Sequence, residues 1–154
     1  MKLFFTLVLF LSIYFLKAQE NFKKSTWKET ITFIKQHKDS LFDFHYYTPE
    51  KTQTVVLRDS LLIIKVVDGK RKYIHKSHLK NLKQVRNYKH DGLLLTFGWR
   101  NVDFTTYNTL KKTKIEQSKS MHFGIRIANT VIKKNLQNAF KRLVFLNQRK
   151  RVEK

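Results

Sequence analysis

Residues 54–107 read TVVLRDSLLIIKVVDGKRKYIHKSHLKNLKQVRNYKHDGLLLTFGWRNVDFTTY, and this stretch decides the fold. Six short runs with strand character follow one another in it: 54–57, 61–67, 71–75, 82–88, 93–97 and 102–107. They are rich in β-branched and aromatic residues, which suit a pleated, half-buried surface. Asp68-Gly69 and Asp91-Gly92 between them are tight-turn signals, because glycine takes positive φ without a Cβ clash. Residues 98–101 (GWRN) mark a further turn, and Arg58-Asp59 joins the first two runs. The run 61–67 (LLIIKVV) lacks clean alternation, so it should be covered at least in part on both faces. In 82–88 the apolar Leu82, Val85 and Tyr88 stand three apart, a spacing that also fits a short helix. Successive antiparallel strands at this spacing predict a meander, closed or strongly curled to hide its edges.

Working outward, the N-terminal flank carries a helical signal. Thr26-Trp27-Lys28-Glu29 fits a capping box, and Trp27, Ile31, Ile34 and Leu41 recur on one helical face. A helix is predicted over 26–40. Residues 41–47 (LFDFHYY) read as a first strand, ended by the single proline, Pro49. On the C-terminal side, 108–122 (NTLKKTKIEQSKSMH) is polar and lysine-rich and reads as a long loop. Residues 123–127 (FGIRI) give one more strand. A helix is predicted over 128–147, with Asn129 as its N-cap and Ile132, Leu136, Ala139, Phe140, Leu143 and Val144 as its apolar stripe. Residues 148–154 (QRKRVEK) read as a basic tail. The fold class is therefore α+β: a small curled antiparallel sheet or barrel with an N-terminal and a C-terminal helix.

The chain starts with Met1-Lys2, an apolar run over 3–16, then Lys17-Ala18-Gln19. That is the pattern of a signal peptide, with cleavage expected after Ala18. The run is shorter than the roughly 20 residues that cross a bilayer. An uncleaved N-terminal anchor is the alternative, favoured by the bulky Leu16 three residues before the cut. The expected organisation is a leader over 1–18, one domain over 19–147 and the basic tail. The expected location is the periplasm or the cell exterior. With no cysteine in the chain, neither a disulfide nor a lipid-modified cysteine is possible.

Charge is the strongest compositional signal. The 154 residues carry 32 Lys and Arg against 11 Asp and Glu, a formal net charge of +21, from which the leader would take Lys2 and Lys17. Such an excess favours anionic partners: acidic lipid, lipopolysaccharide, acidic polysaccharide or an acidic protein. Export disfavours nucleic acid. An ordinary solvated lysine surface is the competing explanation.

Motifs that carry chemistry are missing. No local carboxylate pair, glycine-rich phosphate loop or thiol is present; the four glycines are Gly69, Gly92, Gly98 and Gly124. His75-x-x-His78 is the only close histidine pair, with no acid beside it, and is not expected to hold a metal. No catalytic residue, metal site or cofactor is expected. An enzyme would need a deep pocket that gathers a histidine and a carboxylate from distant positions.

The strand run 55–107, the strand at 123–127 and the closing helix with Leu136, Ala139, Phe140 and Leu143 together resemble the PH-like fold, a curled barrel capped by a C-terminal helix. The helix at 26–40 departs from that pattern, and a lipocalin-like or other small barrel is the structural alternative. The resemblance implies anion contact through the basic hairpin at Asp68-Gly69. The candidate anion-binding residues are Lys70, Arg71, Lys72, Lys76 and Lys80. The expected function is an exported, non-enzymatic binding or interaction domain for an anionic ligand. Two alternatives stand beside it: an accessory envelope protein that docks on a protein partner, and an enzyme with a dispersed site.

Overall fold

The computed structural model describes residues 24–89 and 91–152. The expected leader lies outside them. The first element among the described residues is helix α1 (Trp27–Gln36), followed by a 3-10 turn (Lys38–Ser40). Nine strands come next: β1 (Leu41–Asp43), β2 (Thr52–Arg58), β3 (Leu61–Asp68), β4 (Arg71–His78), β5 (Leu82–Tyr88), β6 (Gly92–Phe97), β7 (Val102–Asn108), β8 (Thr113–Ser120) and β9 (His122–Ile127). Helix α2 (Thr130–Val152) closes the chain.

The capping box starts α1 as the sequence indicates. Glu29 N–H donates to Thr26 Oγ1, and Thr26 N–H donates to Glu29 Oε2 at 2.7 Å. These contacts, the Thr26 backbone amide first and its hydroxyl second, hold the Glu29 carboxyl below its ordinary pKa. The helix is shorter than predicted, because after His37 the chain tightens into the 3-10 turn. The predicted strand over 41–47 also shortens to β1, since its next residues leave the sheet. The six runs of residues 54–107 are all strands, β2 to β7. The spacing of three from Leu82 to Val85 marks a β-bulge between Leu82 and Gln84, not a helix, and Tyr88 lies on the face opposite Val85.

The strands form two antiparallel sheets. One has four strands in the order β1-β9-β6-β5; the other has five, in the order β2-β3-β4-β7-β8. The two sheets are not closed into a barrel, which corrects the closed form of the predicted meander. The reason lies in residues 92–127. There β6 and β7 run out along one path, and β8 and β9 return beside it. Val102 pairs with Ser120, Thr96 pairs with His122, and Phe97 N–H donates to the Met121 carbonyl at 2.8 Å. This is one long ribbon. Residues 98–101 loop out against Met121 alone, with Arg100 at φ +56°, and the ribbon bends at that point. Its inner half joins β1 and β5, and its outer half joins β4. A single bent ribbon therefore belongs to both sheets.

The core lies where the two sheets and α2 face one another. Val55, Leu57, Leu62, Ile64 and Val66 come from the five-stranded sheet; Leu93, Leu95, Phe97, Phe123, Ile125 and Ile127 come from the other. Leu136, Ala139, Phe140 and Leu143 of α2 complete it, the stripe that the sequence marks. Burying each of the large side chains is worth roughly 1.5–3 kcal/mol. Asn129 caps α2 by accepting from Val131 N–H at 2.9 Å. The helix runs on past 147, so the expected basic tail is helical through Val152. Asn147 is buried, and its amide nitrogen donates to the carbonyls of Leu79 and Leu82 at 3.0 and 2.9 Å. Among the described residues, no helix is long and apolar enough to cross a membrane.

Candidate anion-binding site

Two turns lie side by side at one end of the five-stranded sheet. The first joins β3 to β4: Asp68 pairs with Arg71, and Gly69 takes φ +51° between them. The second, Thr109 to Lys112, joins β7 to β8, because residues 113–120 are a strand and not the expected loop. Asn108 builds this second turn. Its Oδ1 accepts from Leu110 N–H at 3.0 Å and Lys111 N–H at 2.9 Å, and Lys112 closes it at φ +51°. The side-chain acceptor takes the place of a backbone bond, which fixes the turn. The two turns are also tied together. Thr109 N–H donates to the Lys70 carbonyl at 2.9 Å, and Thr109 Oγ1 donates to the Gly69 carbonyl at 3.1 Å.

This juxtaposition gathers cations from two distant stretches of sequence. Lys70, Arg71 and Lys72 come from the first turn and β4; Lys111, Lys112 and Lys114 come from the second turn and β8. Lys72, Tyr107 and Lys114 stand directly across from one another on adjacent strands. Asp68 is the acid within the pair of turns, and Lys51 engages it at 3.0 Å. Apolar side chains are exposed in the same place. Leu110 at the second turn is 71 % exposed, and Ile115, left over at a bulge in the β7–β8 pairing, is 55 % exposed.

The other two candidates lie elsewhere. Lys76 sits farther along β4 on the outward face of the sheet, opposite Asp103, which Lys119 approaches at 3.8 Å. Lys80 follows β4, in the 3-10 turn Leu79–Asn81. The eight residues of β4 span roughly 25 Å at about 3.4 Å per residue, so Lys80 is at the far end of the sheet from Lys70. The outward face between them is basic as well. Lys65, Lys72 and Lys76 surround Ile74, which is buried although it lies outside the core cluster. Aliphatic lysine stems suit that surrounding position, covering an apolar neighbour while the ammonium stays in water.

A second polar constellation lies between the sheets. Asp43, 2 % exposed, comes within 2.6 Å of His75 Nδ1 through Oδ2. The oxygen is off the axis of the Nδ1–H bond, so this is a close polar contact and not an aligned hydrogen bond. Asp43 Oδ1 accepts from His45 N–H at 2.9 Å and Tyr46 N–H at 2.7 Å. Rings enclose His75: Phe104 at 4.7 Å, Phe123 at 4.8 Å and Tyr46 at 5.7 Å. Tyr46 also stacks on Tyr73 at 4.2 Å. Burial first, then the Asp43 carboxylate, with Tyr73 and Glu116 adding to it, pushes the Tyr46 phenol above its ordinary pKa. The chemistry of this group is that of a clasp. One carboxylate oxygen shapes the chain after β1, and the other meets β4 across the gap.

The structure thus brings together a histidine and a carboxylate that the sequence keeps 32 positions apart. Among the described residues, one surface cleft is lined by Lys38, Tyr47 and Lys51 and another by Lys89, Lys133 and Lys134, and neither includes His75 in its lining. His75 and His78 are an odd number of residues apart on one strand, so they point to opposite faces. His78 instead meets Ser60 Oγ at 3.4 Å. Comparison with known protein families, curated proteins and solved structures returned no match.

Proposed function

We propose that this protein is an exported, non-enzymatic binding domain that takes an anionic ligand on the paired basic turns. One observation carries the reading. Six cations from two separate stretches stand on or beside two hydrogen-bonded turns, and the acid between them is already engaged by Lys51. A merely solvated surface has no need of turns locked against each other by Thr109 and Asn108. A turn backbone already held in one place leaves only the side chains to be ordered when a ligand arrives. The enclosed Asp43–His75 contact supports the non-enzymatic part, since both Asp43 oxygens serve the local structure. Export rests on the leader pattern alone. The PH-like resemblance contributes nothing to this conclusion.

The test is binding of inorganic polyphosphate as a function of salt. Lys111→Glu with Lys112→Glu is compared with Lys28→Glu and Lys35→Glu, an exposed pair on α1 with the same charge change. The first pair should weaken binding about ten-fold or more and flatten the salt dependence, since fewer counterions are displaced. The second should do little. Equal losses from both pairs would show that net charge, and not a site, holds the ligand.

A further inference from the structure

We propose that the anion bound by the paired turns is a lipid bilayer carrying acidic head groups, with Leu110 entering the boundary between head groups and acyl chains. The proposal rests on the anion-binding reading above and names its ligand. A soluble polyanion needs cations only and leaves Leu110 without a role. Leu110 is the most exposed aliphatic side chain among the described residues, and it is not on a loose loop. Its own amide is bonded to Asn108, and the turn beneath it is bonded to the neighbouring hairpin. The apolar group is therefore displayed.

Its surroundings match a charged interface. Lys111 and Lys112 follow it in the chain, and Lys70 and Arg71 stand on the adjoining turn. Lysine stems lie along apolar surface with the ammonium directed to water or head groups, so these residues can flank an inserted leucine. Ile115 and the half-buried Tyr107 lie just behind, on β8 and β7, as a second apolar step. The geometry is that of an interfacial contact made by one hairpin tip, with no spanning element.

The experiment uses the full chain with two probes: vesicles of phosphatidylcholine with and without phosphatidylglycerol, and inorganic polyphosphate. The chain has no cysteine, so Leu110→Cys gives a unique site for an environment-sensitive fluorophore. Lys28→Cys on α1 gives the matched control. Emission at position 110 should rise and shift to the blue only with vesicles containing phosphatidylglycerol, and emission at position 28 should not change. Leu110→Ser should weaken sedimentation with those vesicles about ten-fold and leave polyphosphate affinity unchanged. Lys111→Glu with Lys112→Glu should weaken both. These are differences between variants of one chain, so the apolar segment at residues 3–16 contributes equally to each.

Polyphosphate binding without a response at position 110 would overturn the bilayer proposal and leave the anion site standing, with a soluble polyanion as its ligand. Vesicle binding indifferent to Leu110→Ser would overturn it too. Failure to bind either probe would remove both readings.

Discussion

Gly92 shows how one residue type can serve two physical needs. Beside Asp91 it reads in sequence as a glycine that relieves the backbone of a turn. In the structure the positive φ falls on Lys89, at +50°, and Gly92 is needed for space. A Cβ there would stand 2.5 Å from the Tyr88 carbonyl oxygen and 2.8 Å from the Phe44 ring. With Gly124 it makes a seat for Phe44, over which Arg126 and Lys89 lie at 5.2 and 5.3 Å. Gly69 is the opposite case, with φ +51° and open space where a Cβ would go. Gly69→Ala should therefore cost about 1–2 kcal/mol, the backbone strain alone. Gly92→Ala should cost roughly 1–3 kcal/mol from crowding, and it should shift the environment of Phe44 and Tyr88. Urea denaturation gives the costs, and near-ultraviolet circular dichroism reads the aromatic environment. An aromatic signal unchanged in Gly92→Ala would refute the seat.

Among the elements, α2 is held by more than its apolar stripe. Asn147 satisfies two carbonyls around the 3-10 turn that precedes β5. Asn147→Ala leaves both without that donor, and an unsatisfied buried acceptor costs roughly 1–3 kcal/mol. The loss measured by urea denaturation should exceed that of Gln148→Ala, an exposed neighbour; equal losses would mean that the two bonds contribute nothing. The elements also show what the sequence could reveal. β2 to β7 were legible because each has apolar or β-branched residues to bury, and Asn129 and the Leu136 stripe were legible through capping and period. β8 was not. Its residues, TKIEQSKS, are exposed on both faces, so no alternation is imposed on them and backbone pairing with β7 alone makes the strand. Lysines and a bulge on that edge also discourage pairing with a second chain. The candidate site was half legible for the same cause. Lys70, Arg71 and Lys72 sit on a hairpin with a turn signal, whereas Lys111, Lys112 and Lys114 are brought to them by the register of β7 on β4 and by the bonds of Thr109.

For the whole molecule, a formal +21 on 154 residues is a repulsive load, and few acids offset it. The described ion pairs are mostly exposed, and such pairs add little. Screening should therefore stabilise the fold. Raising ionic strength from about 0.01 to 0.15 M shortens the Debye length from about 30 to 8 Å. The melting temperature should rise over that range. A fall would mean that the ion pairs outweigh the repulsion. The succession of strands along the chain was legible, but their division into two sheets, with β4 pairing β7 and not β5, was not. The bend between the sheets depends on residues 98–101, which loop out between Phe97, bonded to Met121, and Val102, paired with Ser120, a gap that only the pairing partner reveals.

That bend has a mechanical consequence. A pull applied at the Leu110 turn runs along β7 and β8 together, across the direction of the hydrogen bonds that join β7 to β4, so that ladder is loaded in shear. Bonds in shear share the load and must yield together, whereas bonds peeled from one end yield in turn. Past the bend the chain continues as β6 and β9, which are gripped by β5 and β1. A tether at the tip is thus anchored in both sheets, and the domain resists being drawn from whatever holds it as one body.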